Sequence, residues 1–213
     1  MQKIPQADLG NFLSKNPNEQ KAFVENIGNA FQEIGFLALK GHFLDAELQK
    51  SLYKEIKAFF ALPDSVKNRY EIQGGGGQRG YTSFGKEHAA GRKVGDLKEF
   101  WHFGQDLSLY PELHGVYPEN VQVEELTAFN SIGNAVFKRL EKTAQVLLQA
   151  IALYLNLEPS FFDPYILGGN SILRAIHYPP IIEAPKDAER AAAHGDINLI
   201  TLLMGAQGGG LQV

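Results

Sequence analysis

No cysteine occurs among the 213 residues, which include only two methionines and one tryptophan. The first absence excludes disulfides, thiolate metal sites and thiol nucleophiles, and leaves His, Asp and Glu as the side chains able to hold a metal ion. No dense run of Lys or Arg is present, and 20 basic against 24 acidic residues give a net charge of −4. Neither nucleic acid nor an anionic membrane surface is therefore an expected partner. No apolar stretch approaches the ~18 residues of a membrane span, and the opening MQKIPQADLG lacks the apolar heart of a signal peptide. These absences predict a cytoplasmic protein whose partner is a small molecule.

What is present suits a folded enzyme-sized unit. A hydrophobic content of 44% over this length is enough for one substantial core or two small ones. Phe23, Ile27, Ala30, Phe31 and Ile34 recur at helical spacing, as do Leu44, Leu48, Leu52, Ile56, Phe59 and Phe60. The spacing predicts two amphipathic helices, the second ended by Leu62-Pro63, with the glycine-bounded GFLALKGH as a strand between them. From about Val123 to Leu155 the stripe Phe129, Ile132, Val136, Leu140, Leu147, Ile151, Leu155 persists without proline, which predicts one long helix. After Pro164 the character changes to short β-type runs parted by Gly and Pro: SILRAIHYPP, AAAHGDINLITLLM and GGGLQV.

The run GGGGQRGY contains Gly75, Gly77 and Gly80 in a G-x-G-x-x-G pattern. A dinucleotide site requires that pattern at the start of a helix, where backbone amides meet the pyrophosphate. Here the extended-looking RGYTSFG follows, so the run is read as a loop.

His194 and Asp196 stand two apart, ahead of an aliphatic run. Residues i and i+2 of a strand point to one face, so imidazole and carboxylate could converge on one metal ion. Iron(II) in a 2-His-1-carboxylate facial triad uses such a pair and keeps three positions open. The triplet alone also fits a purely structural His–Asp pair at a strand end.

The wider pattern decides more. SILRAIHYPP, AAHGDINLITLL and GGGLQV, in this order, resemble the isopenicillin N synthase-like branch of the 2-oxoglutarate/iron(II)-dependent dioxygenases. Upstream, IGFLALKGH, FFALPDSVKNRY, RGYTSFGKE and DLKEFWHFG are similar to further segments of that family, so the likeness covers nearly the whole chain.

The resemblance implies an α+β chain. A mainly helical N-terminal region (1–118) precedes a long buttressing helix and the first part of a double-stranded β-helix, or jelly roll (119–213). It makes His194 and Asp196 two of three iron(II) ligands and Tyr178 a contact to the co-substrate 2-oxoglutarate, with dioxygen as oxidant. The Asn that many plant members carry two residues before that tyrosine is Ile176 here. Arg174 matches a family arginine, yet an arginine beside an apolar strand is as often a structural salt-bridge partner, and no catalytic role is assigned to it. Arg79, Tyr81 and Phe84 are the candidate substrate contacts. No role as ligand is expected of His42, His88, His102, His114 or His177. The family's second histidine ligand and its Arg-x-Ser clamp both lie beyond Gly-Gly-Leu-Gln-Val. The chain is therefore expected to be the front, C-terminally incomplete part of a longer oxygenase that hydroxylates, desaturates or cyclises a small molecule. A non-catalytic jelly-roll binding protein, or an inactive fragment, is the alternative.

Overall fold

The computed structural model describes residues 3–87, 95–182, 189–191 and 194–205. The chain begins with β1 (Gln6–Asp8), α1 (Leu9–Leu13), α2 (Pro17–Glu33) and β2 (Ala38–Lys40). Asn16 caps α2 by accepting from the Asn18 N–H at 3.0 Å, and Pro17 occupies the first helical position, where its missing donor costs nothing. The predicted strand between the first two helices is β2, and it pairs in parallel with β1, whose three residues carry no readable pattern. Next come α3 (Ala46–Phe60), capped by Asp45 accepting from the Leu48 N–H at 2.8 Å, and the short α4 (Asp64–Lys67), with Leu62-Pro63 between them as anticipated.

A three-stranded antiparallel sheet follows, ordered β3 (Gly80–Thr82), β4 (Glu99–Gly104), β5 (Ile172–His177). Between β4 and β5 run α5 (Thr127–Tyr154) and α6 (Asp163–Ile166). The long helix thus exists as predicted, starting at Thr127 instead of about Val123.

α5 ties two cores together. Its N-terminal half contributes Phe129 and Val136 to a cluster with Leu52, Phe59, Tyr81, Trp101 and Phe103. Its C-terminal half contributes Leu147 and Ala150 to a cluster with Leu9, Phe23 and Ile27. Phe59 lies 4.8 Å from Trp101 and 5.0 Å from Phe129, centroid to centroid, and such aromatic pairs add about 0.5–1.5 kcal/mol each beyond the area they bury. Close approach is made possible by glycine. A methyl group on Gly133 would fall 2.1 Å from the Phe103 ring, and one on Gly28 would fall 2.1 Å from Tyr154.

One expectation requires correction. AAAHGDINLITLLM was read as a strand, yet residues 194–205 form no strand among the described residues. Ile200, Leu202 and Met204 pack against the two cores while Thr201, Leu203 and Gly205 face outward. That alternation has the period of a strand. Among the described residues no neighbouring strand completes a hydrogen-bonded ladder with it. The segment Gly-Gly-Leu-Gln-Val, at 209–213, and His88 lie outside the described residues. The molecule is accordingly a mixed helix-and-sheet structure, with no closed double-stranded β-helix among the described residues.

Candidate active site

His194 and Asp196 come together despite the absence of a strand. The imidazole Nε2 stands 3.7 Å from the Asp196 Oδ1, and both side chains face solvent, 57% and 47% exposed. Two ligands each about 2.1 Å from one ion, at right angles, sit about 3 Å apart, so this pair needs only a small adjustment to share a metal. Asp196 is steered from behind. Its Oδ2 accepts from the Thr201 hydroxyl, which in turn accepts from the Asn198 amide at 3.1 Å. A hydrogen-bonded carboxylate presents its other oxygen in a defined direction, the usual arrangement behind a metal ligand. The donor set, one imidazole and one carboxylate, fits two positions of an iron(II) site. Among the described residues no group of three His, Asp or Glu side chains is placed to hold a metal ion.

Tyr178 directly follows β5 and is 38% exposed. Arg190 donates to its carbonyl at 3.2 Å and lies over its ring. The strand that precedes it is held on both faces. On one, Glu99 and His177 are register partners, and on the other His102 and Arg174 are.

Glu99 is almost fully buried and receives three donors: Lys67 Nζ at 2.8 Å, His177 Nδ1 at 2.7 Å and the Tyr81 hydroxyl. Burial works against its ionisation, but the hydrogen bonds from Lys67, Tyr81 and His177 outweigh that and hold its carboxyl below the usual range. The Tyr81 phenol is pushed up, first by burial and then by its hydrogen bond to the Glu99 carboxylate.

On the opposite face Arg174 donates through Nε to His102 Nε2 at 2.7 Å and through its two terminal nitrogens to Glu87 at 3.0 and 3.2 Å. Of the two readings open to it, these contacts are those of a structural salt-bridge partner. His102 Nδ1 bonds the Gly77 carbonyl at 2.5 Å, so the ring is neutral with its proton on Nδ1. Burial, reinforced by Arg174, lowers its pKa to about 3.

The three candidate substrate contacts are not brought together. Phe84 is exposed, Tyr81 is committed to the aromatic core and to Glu99, and Arg79 is buried against Gly104 and Tyr117. The Glu99 cluster itself was not anticipated. Its signal was a lone carboxylate within the apolar EFWHFG run, which requires a buried partner.

One imidazole and one carboxylate, 3.7 Å apart, are donors of the kind a non-haem iron site uses. Residues 4–125 match the family model described as non-haem dioxygenase in morphine synthesis, N-terminal. The chain is 30% identical over 221 residues to the proline hydroxylase buaE of Petromyces alliaceus, covering 99% of this chain and 67% of that protein. Among solved structures it resembles a Caulobacter crescentus protein assigned to the 2OG-Fe(II) oxygenase family (39% identity, TM-score 0.78, 93% of this chain and 62% of that one). It also resembles a full-length Neurospora crassa protein crystallised in complex with alpha-KG (25% identity, TM-score 0.68, 83% and 54%). The chain belongs to the 2-oxoglutarate/iron(II)-dependent dioxygenase superfamily. It spans about two thirds or less of the length of the proteins it matches. No helix among the described residues is long and apolar enough to cross a membrane.

Proposed function

We propose that the protein oxidises a small-molecule substrate with iron(II), 2-oxoglutarate and dioxygen, as a member of the isopenicillin N synthase-like branch built on a jelly-roll core. The observation that carries this reading is the 3.7 Å approach of His194 Nε2 to Asp196 Oδ1, in a chain that matches the superfamily along its length. Bound iron with 2-oxoglutarate supplies the oxidising power; the side chains supply ligands, orientation and access.

His194 binds as the neutral imidazole and Asp196 as the carboxylate, its free lone pairs directed by Thr201. Tyr178 offers a phenolic donor to the keto acid, on a strand whose register is fixed by Glu99–His177 and His102–Arg174. Among the described residues no third His, Asp or Glu joins these two, and the chain spans about two thirds of the length of the relatives it matches. The relatives' names point to amino acids as the range of substrate size, since one is a proline hydroxylase and another a 1-aminocyclopropane-1-carboxylate oxidase.

The test is succinate release from 2-oxoglutarate by the protein extended to the length of its relatives. Release that requires iron(II) and is abolished in Asp196→Ala is the expected result. Undiminished release by His194→Ala and Asp196→Ala would remove these residues from the site.

A further inference from the structure

Arg79 is 1% exposed, yet among the described residues neither its Nε nor its Nη2 meets an acceptor. Only Nη1 is engaged, donating to the Gln78 carbonyl at 2.8 Å. The other buried cations are paired: Lys67 with Glu99 and Asp64, and Lys98 with Glu87 and Asp96. Arg79 is the one buried cation among the described residues without a carboxylate. Leaving such a charge unpaired in a folded interior is costly, and burial depresses its pKa accordingly.

The surroundings are shaped around the guanidinium plane. A methyl group on Gly104 would fall 1.9 Å from Cζ and 2.0 Å from Nε, so the group lies flat on the β4 backbone where any other residue would exclude it. Tyr117 covers it, its ring centroid 5.6 Å from Cζ and its hydroxyl donating to the Gly168 carbonyl. Asn120 clamps Gly104 through both its N–H and its C=O, at 2.7 and 2.8 Å. The turn carrying Arg79 has Gly74, Gly76, Gly77 and Gly80 at positive φ, a backbone path that residues with side chains rarely follow.

Nε and Nη2 form one edge of the guanidinium, two parallel donors at the spacing of a carboxylate's oxygens. We propose that Arg79 is a carboxylate-binding group, its Nε–Nη2 edge receiving the carboxylate of a small organic acid. This anion site stands independently of the oxygenase reading above.

The experiment is thermal unfolding of the metal-free protein, without 2-oxoglutarate, in formate, chloride or phosphate at equal ionic strength. Wild type, Arg79→Met and Asp196→Ala are compared. Formate at ten times its dissociation constant should raise the Tm of wild type and of Asp196→Ala by about 3–5 °C, and should leave Arg79→Met unmoved. Without formate, Arg79→Met should melt at or above wild type, because an apolar side chain of similar length replaces an unpaired buried charge. An equal formate response in Arg79→Met, a response to phosphate as large as to formate, or no response in wild type overturns the proposal. So does an Arg79→Met variant several degrees less stable in the absence of formate, because the guanidinium would then serve the fold alone. If iron-dependent turnover is absent while the formate response is intact, the oxygenase reading fails and the anion site stands.

Discussion

Glu99 and His177 face each other across β4 and β5, and the imidazole Nδ1 donates to the carboxylate at 2.7 Å immediately before Tyr178 enters the chain. The same carboxylate neutralises Lys67 and accepts from Tyr81. One side chain therefore joins α4, β3, β4 and the strand leading to the candidate co-substrate contact.

Replacing that carboxylate by a similarly sized apolar group should be severe. Glu99→Leu leaves the Lys67 ammonium, the Tyr81 hydroxyl and the His177 N–H without their shared acceptor, at a cost of about 3–5 kcal/mol. Urea unfolding at neutral pH measures it. A loss below about 1 kcal/mol would mean that water or Asp64 takes over the network.

His102 gives the protein a pH dependence above the carboxylate range. Its folded pKa is lowered to about 3, so between that value and the ordinary ~6.5 the unfolded chain binds a proton that the folded chain does not. Stability is then full above about pH 6.5 and falls on acidification by up to ~1.4 kcal/mol per pH unit. His102→Gln, which can still accept from Arg174 and donate to Gly77, should flatten this slope between pH 6.5 and 5. Unfolding free energies of the two proteins across that interval decide it; parallel curves would contradict the neutral, buried ring.

Gly133 tests the packing of α5 on β4. In an isolated helix Ala is favoured over Gly by about 1 kcal/mol. Here the added methyl would lie 2.1 Å from the Phe103 ring, and overpacking of this kind costs about 1–3 kcal/mol. Gly133→Ala should lower the thermal midpoint, whereas a rise would show that the helix does not approach the sheet this closely.

The three long helices were legible because each buries most of one stripe against a core, and the spacing of Phe23 to Ile34, Leu44 to Phe60 and Phe129 to Leu155 records it, although Phe31 and Leu155 are exposed; the four- and five-residue α1, α4 and α6 are too short to carry such a stripe. β4 was not, since Glu99, Trp101 and Phe103 face one core while Phe100, His102 and Gly104 face the Gly-rich turn and Arg79; with both faces buried, alternation vanishes. The alternation of Ile200, Leu202 and Met204 was real, but pattern records which face is buried, not whether a neighbouring strand is there to pair with. At the candidate site, the His194–Asp196 spacing was visible in the triplet. The supporting Thr201 was hidden, because its hydroxyl reaches Asp196 only once the chain has bent back on itself.

In the proposed site His194 and Asp196 hold one metal ion on which 2-oxoglutarate also binds. Anaerobic titration of iron(II) with 2-oxoglutarate into the protein extended to its relatives' length, following the visible charge-transfer absorption of the chelate, reads it directly. One chelate per protein should form in wild type and be lost in His194→Ala and Asp196→Ala, while Thr201→Val should weaken it by about 10–100-fold. A chelate of unchanged intensity and affinity in either alanine variant would contradict the account.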